Sequence, residues 1–293
     1  MPKLVTVVGA TGNQGRAPRS ARPEKPSVEV VAADLDSIDS LKAAFAGSYA
    51  VYGVTGIDGL LAEHDLATVE KVEEAWGRAI AQAASETAGL RHFIWSTLPR
   101  ASEISGGRYR LSNHAAKNKV DDYVRGDPGL AAKTTFLVVA QYHSNYSYGP
   151  VSIHPVPSAG AYVHFASHPP DTPVAWIGDV TRNLPPFIKP ILEQPEKTRG
   201  NVVFACEEVR TSEDSLQIWA RSKGVRAFHV PVSAELVCSL WGKYADVLAA
   251  MWRYWGEFGE KSWSAPGHTV LTKEDLGVTG LISLAESFRD YEI

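Results

Sequence analysis

Three glycines near the start of the chain are spaced so that they could hold a phosphate group. Gly9, Gly12 and Gly15 directly follow an apolar, β-branched run at 4–8. In such a turn the first glycine permits the tight bend, the second lets the backbone approach a diphosphate, and the third lets the next helix pack closely. Amide groups at the start of that helix would face the negative charge. Because the triplet follows a buried strand, it indicates a nucleotide-binding loop rather than an ordinary turn.

Histidines and cysteines, the usual ligands of transition metals, show no such pattern. Four histidines share one loop-rich segment, and they are His143, His154, His164 and His168. They lack the short spacing of metal ligands, and no acidic or cysteine residue lies at a matching position. We therefore predict that these histidines are polar loop residues and do not form a metal site. Cys206 and Cys238 lie in apolar surroundings, which predicts buried thiols rather than a disulfide.

The segments around the glycine loop alternate between strand and helix. Segments rich in apolar and β-branched or aromatic residues predict strands at 4–8, 28–33, 49–54, 91–96 and 134–140. Apolar residues spaced three and four apart predict helices at 36–46, 66–88 and 115–124. This alternation is typical of α/β proteins with a doubly wound parallel sheet. We therefore expect residues 1–150 to form a dinucleotide-binding domain of the Rossmann type.

The second half of the chain has a different sequence pattern. Proline and polar residues dominate until strands are predicted at 174–177, 201–205 and 225–232, with helices at 179–192, 211–223 and 235–258. Pro185 and Pro186 are expected to interrupt the first of these helices. We expect a smaller α+β substrate-binding domain over 151–293, in which 174–192 and 225–232 are candidates for returning to the first sheet.

Aromatic residues recur every three or four positions in the last predicted helix. The stripe consists of Trp241, Tyr244, Leu248, Trp252 and Trp255. Its spacing predicts a core contact between the two domains, and the alternative is an aromatic wall of a substrate pocket.

Composition narrows the class of protein. The 293-residue chain has a net charge of −4, with 44% hydrophobic and 21% charged residues, and this balance does not indicate a nucleic-acid-binding surface. No apolar run approaches the ~20 residues that span a bilayer, and no signal peptide is evident at the start. We expect a soluble, cytoplasmic protein.

The sequence resembles the NmrA-like family of atypical short-chain dehydrogenases/reductases. The loop at 9–15 reads Gly-Ala-Thr-Gly-Asn-Gln-Gly, and further segments extend the likeness at 33–35, 50–55, 93–99, 116–118, 177–183 and 271–277. The likeness covers nearly the whole chain. It is strongest to fungal members, many of which accompany secondary-metabolite pathways. The resemblance implies NADP or NAD as the cofactor and a small-molecule substrate.

The same resemblance assigns cofactor contacts to individual residues. It places the diphosphate at Gly9, Thr11, Gly12, Asn13, Gln14 and Gly15, and the adenine at Asp34 and Leu35. It places Thr55 beneath the cofactor, and Ser96, Thr97 and Asn145 near the nicotinamide. It matches Lys117 to the lysine that hydrogen-bonds the nicotinamide ribose.

The stretch after the glycine loop departs from the family. Family members have a helix, a strand and a basic turn there, whereas this chain has only residues 16–27, with three prolines that disfavour a helix. The lost part normally carries the arginine that selects NADP over NAD. Arg16, Arg19, Arg22 and Lys25 are candidates to supply that charge, and the alternative is a solvated loop.

The usual proton donor is also missing. Family enzymes place a tyrosine or a histidine four residues before the lysine, and this chain has Asn113 there, which cannot transfer a proton at neutral pH. His114 and Tyr109 are the candidate replacements, with Ser96 and Lys117 as further catalytic candidates. On the same predicted helix, Asp121 and Asp122 are expected to form a solvated surface pair. His143 and Tyr146 are expected on the substrate side.

Three functions remain open from the sequence. The first hypothesis is an NAD(P)-dependent oxidoreductase acting on a small organic molecule of fungal secondary metabolism. The second is a dinucleotide-sensing regulator without turnover, with a protein partner and a nuclear location. The third is a cofactor-independent isomerase, cyclase or dehydratase that uses the pocket in which the family binds its cofactor. None of the three needs nucleic-acid or membrane binding.

Overall fold

The computed structural model describes residues 3–15, 29–61, 63–242 and 244–291, apart from the side chains of residues 58 and 244. In chain order the strands are Val5–Val7 (β1), Ala50–Gly53 (β2), His92–Thr97 (β3), Thr134–Val139 (β4), Gln141–Tyr142 (β5), His154–Val156 (β6), Ala161–Ala166 (β7), Pro173–Gly178 (β8), Val202–Ala205 (β9), Glu208–Thr211 (β10), Arg226–Pro231 (β11) and Val270–Leu271 (β12).

The helices cover the sheets and connect them. They are Ile38–Phe45 (α1), Asp58–Leu61 (α2), Leu66–Glu86 (α3), Ala101–Ile104 (α4), Ser112–Gly126 (α5), Pro128–Ala131 (α6), Val180–Glu193 (α7), Pro195–Thr198 (α8), Ser212–Lys223 (α9), Ala234–Trp241 (α10), Tyr244–Phe258 (α11), Lys273–Leu276 (α12) and Leu284–Arg289 (α13). Short 3₁₀ turns follow β5, β6 and α11.

A parallel six-stranded sheet forms the centre of the molecule, in the order β1-β2-β3-β4-β9-β12. Every residue of β2, β3 and β4 is buried, as expected for parallel strands that are covered on both faces. Helices begin where the sequence offers caps, since Ser37 accepts from the Ser40 amide before α1 and Asp65 from the Thr68 amide before α3. The predicted α/β class is confirmed.

The predicted strand at 28–33 is wrong over residues 29–33. These residues are not paired in a sheet, and the side chains of Val30 and Val31 are 71% and 56% exposed. Among the described residues, β1 is an edge strand that pairs with β2 alone. The valine run therefore has no paired neighbour in the described part of the chain.

The second half contributes strands to three different sheets. β9 and β12 return to the central sheet, whereas β8 pairs with β5 and β10, and β11 pairs with β7. The segments 174–192 and 225–232, candidates for returning to the first sheet, do not do so, because β8 and β11 pair within the two smaller sheets instead. The division into domains at residue 150 stays a prediction.

Two helices of the second half differ from expectation. α7 runs unbroken through Pro185, Pro186 and Pro190, because its apolar face is buried along its length. The aromatic helix is split into α10 and α11 at Gly242, which adopts a positive φ of 77°. Trp252 and Trp255 of α11 are buried in the core. In the described part of the chain, no helix is both long and apolar enough to cross a bilayer.

Candidate functional site

The glycine loop forms a tight turn at the carboxyl end of β1. Gly9 has a positive φ of 65°, and the Gly12 amide donates to the Gly9 carbonyl over 2.9 Å. A Cβ atom on Gly15 would lie 2.0 Å from the Gly9 carbonyl oxygen, so only glycine fits there. Thr11, Gly12 and Asn13 remain exposed at the start of a helical segment. An open turn of small residues at a helix start fits a diphosphate.

Gln14 connects this loop to the ends of the neighbouring strands. Its side-chain oxygen accepts hydrogen bonds from Tyr52 (2.6 Å) and Ser96 (2.7 Å), at the carboxyl ends of β2 and β3. Its side-chain nitrogen donates to the Tyr142 hydroxyl over 2.6 Å. Because Tyr52 and Ser96 are buried and must donate their protons, the amide oxygen faces them and the amide nitrogen faces Tyr142. Burial raises the pKa of Tyr52 well above its ordinary value. We call Gln14, Tyr52, Ser96 and Tyr142 the hydroxyl network.

Lys117 lies in a second polar group, which we call the lysine network (Thr55, Glu73 and Lys117). Its ammonium group donates to the carbonyl oxygen (3.1 Å) and the hydroxyl oxygen (2.8 Å) of Thr55. It also lies 3.1 Å from the Glu73 carboxylate, which accepts from the Thr55 hydroxyl over 2.8 Å. The side chains of Lys117 and Glu73 are 11% and 3% exposed, so this is a buried ion pair between α5 and α3.

Asp121 lies one turn beyond Lys117, and it is buried rather than solvated as the sequence suggested. Trp95 and Thr97 of β3 donate to its two carboxylate oxygens over 3.0 and 2.9 Å. Burial raises the pKa of this carboxyl to about 7, although both hydrogen bonds lower it. Asp122, the next residue, keeps the expected exposure and pairs with Arg100. Thr97, assigned to the nicotinamide by the resemblance, is therefore hydrogen-bonded to Asp121.

His114 and Tyr109, the two predicted proton donors, are committed to other partners. The His114 Nδ1 atom lies 2.8 Å from the Pro99 carbonyl oxygen, and burial lowers the pKa of this imidazole to about 4. The ring is therefore neutral at pH 7, and Nδ1 carries the proton that it donates to Pro99. Tyr109 donates to Glu257 over 2.9 Å, and its pKa is raised by desolvation and by that carboxylate. The side-chain oxygen of Asn113 is buried without a hydrogen-bond partner among the described residues.

Tyr109 also lines a cleft whose other walls come from the second half of the molecule. The cleft has a volume of about 340 Å³ and is lined by Tyr109, Pro169, Asp171, Thr172, Pro173, Trp252, Arg253 and Gly256. Trp252 of the aromatic stripe is buried in the core and also lines this cleft.

The remaining predicted cofactor contacts are Asp34, Leu35 and Asn145. The Asp34 carboxylate accepts from the Asp36 amide over 3.0 Å, and Leu35 packs against the core beside α1. Asn145 lies half-buried in the 3₁₀ turn after β5. Arg16, Arg19, Arg22 and Lys25 lie outside the described residues. The site roles of all predicted residues stay predictions.

The histidines of the second half come together in a way that sequence spacing did not indicate. His164 of β7, His168 and His229 of β11 form the histidine cluster, with ring centroids 5.3–6.0 Å apart. Both ring nitrogens of His164, and Nδ1 of His168 and of His229, have no hydrogen-bond partner among the described residues. Within that part of the chain no group of histidine, cysteine or acidic side chains could hold a metal ion.

His143 and Tyr146, expected on the substrate side, pack into the second half of the molecule. His143 lies 2.9 Å from the Gly178 carbonyl oxygen, and Tyr146 stacks on Phe288. Both are buried and do not line the described cleft.

Sequence reasoning missed three residues of these networks, namely Tyr52, Glu73 and Tyr142. For Glu73 a signal was present, because it falls on the buried face of α3 between Val69 and Gly77. An acidic residue on an apolar helix face requires a buried partner. For Tyr142 the sequence held no comparable signal, since its partner Gln14 is 128 residues away.

Comparison with known proteins identifies the family to which this sequence is similar. The model of the NmrA-like family matches residues 17–274, a stretch that begins just after the glycine loop. The nitrogen metabolite repression protein nmr of Neurospora crassa is 25% identical over 170 residues, which are 56% of this chain and 34% of that protein. The NmrA-like family domain-containing oxidoreductase hkm9 of Aspergillus hancockii is 24% identical over 156 residues, 50% of this chain and 45% of that protein. The chain thus spans less than half the length of these two relatives.

A solved structure shares the fold over almost the full length. It is the crystal structure of NmrA, a negative transcriptional regulator, in complex with NADP, with a TM-score of 0.74 at 20% identity. The match covers 98% of this chain and 94% of that one.

Proposed function

Since this chain belongs to the NmrA-like family, we propose that it binds NADP(H) or NAD(H) at the glycine loop and acts as an oxidoreductase on a small organic molecule. The observation that carries the proposal is the hydroxyl network. Gln14 joins the loop to the hydroxyl groups of Tyr52 and Ser96 at the carboxyl ends of the neighbouring strands β2 and β3, and to that of Tyr142 in β5. Ligands of open α/β sheets bind at the carboxyl ends of such strands. The oxidoreductase name of the Aspergillus relative and the NADP complex of the NmrA structure support it.

The loop would hold the diphosphate through the exposed backbone of residues 11–13. When bound, a reduced nicotinamide supplies a hydride to the substrate. Asp34 and Leu35 are the proposed adenine contacts, and Ser96, Thr97 and Asn145 the proposed nicotinamide contacts. A small molecule of a secondary-metabolite pathway remains the proposed substrate class.

Tyr142 is the proposed proton donor in place of the residue missing at 113. Tyr52 and Ser96 are buried and give their protons to Gln14, whereas Tyr142 is half-buried and accepts a hydrogen bond from the Gln14 amide. Its own hydrogen is therefore directed away from Gln14. After Tyr142 gives its proton to a substrate oxygen, the amide hydrogen of Gln14 would stabilise the phenolate that is left.

The test measures binding and turnover separately. Calorimetry with NADPH and NADH gives the affinities, and absorbance at the reduced nicotinamide band follows oxidation against a panel of quinones, enones and aldehydes. Tyr142→Phe should lower kcat by about a hundredfold or more, the usual share of a general acid, and leave dinucleotide affinity unchanged. Tyr148→Phe, an exposed tyrosine of the same segment, is the matched control. Turnover that survives in Tyr142→Phe would exclude this donor, and conversion of a substrate without dinucleotide binding would favour the cofactor-independent alternative.

A second candidate function is a dinucleotide-sensing regulator without turnover. Three features favour it: an asparagine at 113, the Nδ1 proton of His114 committed to Pro99, and an ammonium group on Lys117 that is already engaged. The repressor name of the Neurospora relative supports it. Tight NADPH binding without oxidation across the whole panel, together with a protein partner whose capture depends on the dinucleotide, would identify this function.

A further inference from the structure

The lysine network raises the question of what Lys117 can still bind. An ammonium group has three hydrogens to donate. In this molecule they face the Thr55 carbonyl oxygen, the Thr55 hydroxyl oxygen and the Glu73 carboxylate, at 3.1, 2.8 and 3.1 Å. Each donor already has an acceptor, so a ribose hydroxyl can bond Lys117 only by displacing one of them.

Glu73 is the strongest of the three competitors. Its carboxylate is buried on α3 and accepts from both Lys117 and Thr55, and a hydrogen bond between charged groups is about twice as strong as one between neutral groups. It also compensates the positive charge, so less of the lysine's field reaches a neighbouring group. Glu73 thus determines both the position of Lys117 and the charge that a ligand meets there.

We propose that Glu73 is a positioning residue that withholds Lys117 from the nicotinamide-side ribose, so that dinucleotide affinity is set by competition between this carboxylate and the ribose hydroxyls. The inference rests on the proposed function, because it assumes that a dinucleotide occupies the glycine loop. It concerns the ribose contact alone. A ligand that lacks this ribose, such as 2′,5′-ADP, should not be affected.

The chain contains a matched control for Glu73. Glu70 lies one turn earlier on α3, is also buried, and pairs with Arg110 and with Lys119 of α5. Substitution of either glutamate by glutamine keeps the shape of the side chain and removes one buried negative charge. A general loosening of the contact between α3 and α5 would therefore affect both variants, whereas release of Lys117 would affect only Glu73→Gln.

The experiment compares wild-type protein, Glu73→Gln and Glu70→Gln by calorimetry with NADPH and with 2′,5′-ADP, after circular dichroism has shown that each is folded. Glu73→Gln should bind NADPH about tenfold more tightly than the wild type, the scale of one hydrogen bond to a charged group. Its affinity for 2′,5′-ADP should be unchanged, and Glu70→Gln should match the wild type with both ligands. Adding Lys117→Met to Glu73→Gln should abolish the gain.

Each contrary result has a distinct meaning. Equal NADPH affinity of wild type and Glu73→Gln, or an equal change in Glu70→Gln, would overturn the competition and leave the proposed function standing. Failure of all three proteins to bind both NADPH and NADH would overturn the proposed function itself, and this inference with it. If Glu73→Gln does not fold, Thr55→Val retains the ion pair and frees one ammonium hydrogen. It should then tighten NADPH binding in the same direction, and an unchanged affinity would overturn the proposal.

Discussion

Two buried polar groups, one in each half of the molecule, differ in how their polar atoms are compensated. In the lysine network the charges of Lys117 and Glu73 compensate each other, and Thr55 bonds to both. In the histidine cluster the rings face one another and four ring nitrogens have no hydrogen-bond partner among the described residues. The first arrangement can hold ionised groups in the interior, whereas the second tolerates only neutral rings. Loss of a partner should therefore damage the first region, and gain of a proton should damage the second.

The largest expected effect comes from removing one charge of the lysine network. Lys117→Met leaves the Glu73 carboxylate buried without its cation, and an uncompensated buried charge costs about 3–5 kcal/mol. We expect the free energy of unfolding, measured by urea denaturation at neutral pH, to fall by that amount.

Two further variants check the origin of that loss. Combining Lys117→Met with Glu73→Leu removes both charges and should recover most of the stability, because an apolar pair of similar size can replace a buried ion pair. Lys119→Met removes a lysine of the same helix whose side chain is 44% exposed, and it should cost less than about 1 kcal/mol. If the two single variants are equally destabilised, the loss does not arise from the buried charge.

The second effect is a loss of stability in acid that originates in the histidine cluster. Burial, with a smaller contribution from the neighbouring histidines, lowers the pKa of His164 to about 3 and that of His168 to about 2. An unfolded histidine titrates near pH ~6.5. Between these pH values the unfolded chain binds protons that the folded chain does not bind. The contribution of the cluster to the free energy of unfolding is therefore fully present above about pH 6.5 and is lost as the pH falls below it. At pH 5 each histidine should cost about 2 kcal/mol.

Urea unfolding at a series of pH values measures this loss. His164→Leu should reduce the decrease between pH 7.5 and pH 5 by about 2 kcal/mol relative to the wild type. His64→Gln, an exposed histidine of the first half, should leave the profile unchanged. A profile of His164→Leu that superimposes on that of the wild type would show that the cluster accepts protons without penalty.

The fold could be predicted from the sequence where a segment's own pattern decides its structure. The apolar runs of β2, β3 and β4 are buried on both faces, so their composition alone indicated a strand. The run at 28–33 is also rich in valine and alanine, but a strand needs a neighbour as well, and residues 29–33 have none in the sheet among the described residues. Strand pairing is a property of the whole sheet, which local pattern does not contain.

The sequence allowed prediction of the motif residues of the candidate site, but not of all the side chains that bond to them. Gln14, Thr55, Ser96 and Lys117 were identified through the resemblance, whereas their further partners Tyr52, Tyr142 and Glu73 were not. Asp121 was expected in solvent because an acidic neighbour follows it, yet two donors from β3 hold it inside. The histidine cluster forms because His229 and His164 are opposite each other in β11 and β7, which no spacing along the chain shows.

The smallest expected effect is a difference in stability between two threonine-to-valine variants, one in each half of the molecule. Thr97 donates to the buried Asp121 carboxylate over 2.9 Å, so Thr97→Val should cost about 1.5 kcal/mol by removing a hydrogen bond to an ionisable group. The hydroxyl of Thr172, near the histidine cluster, is buried and has no hydrogen-bond partner among the described residues. Thr172→Val should therefore be neutral or slightly stabilising, within about 0.5 kcal/mol, because it removes a polar group whose burial is not compensated. Urea unfolding of both variants at pH 7.5 gives the comparison, and equal losses would mean that Thr172 is as well satisfied as Thr97.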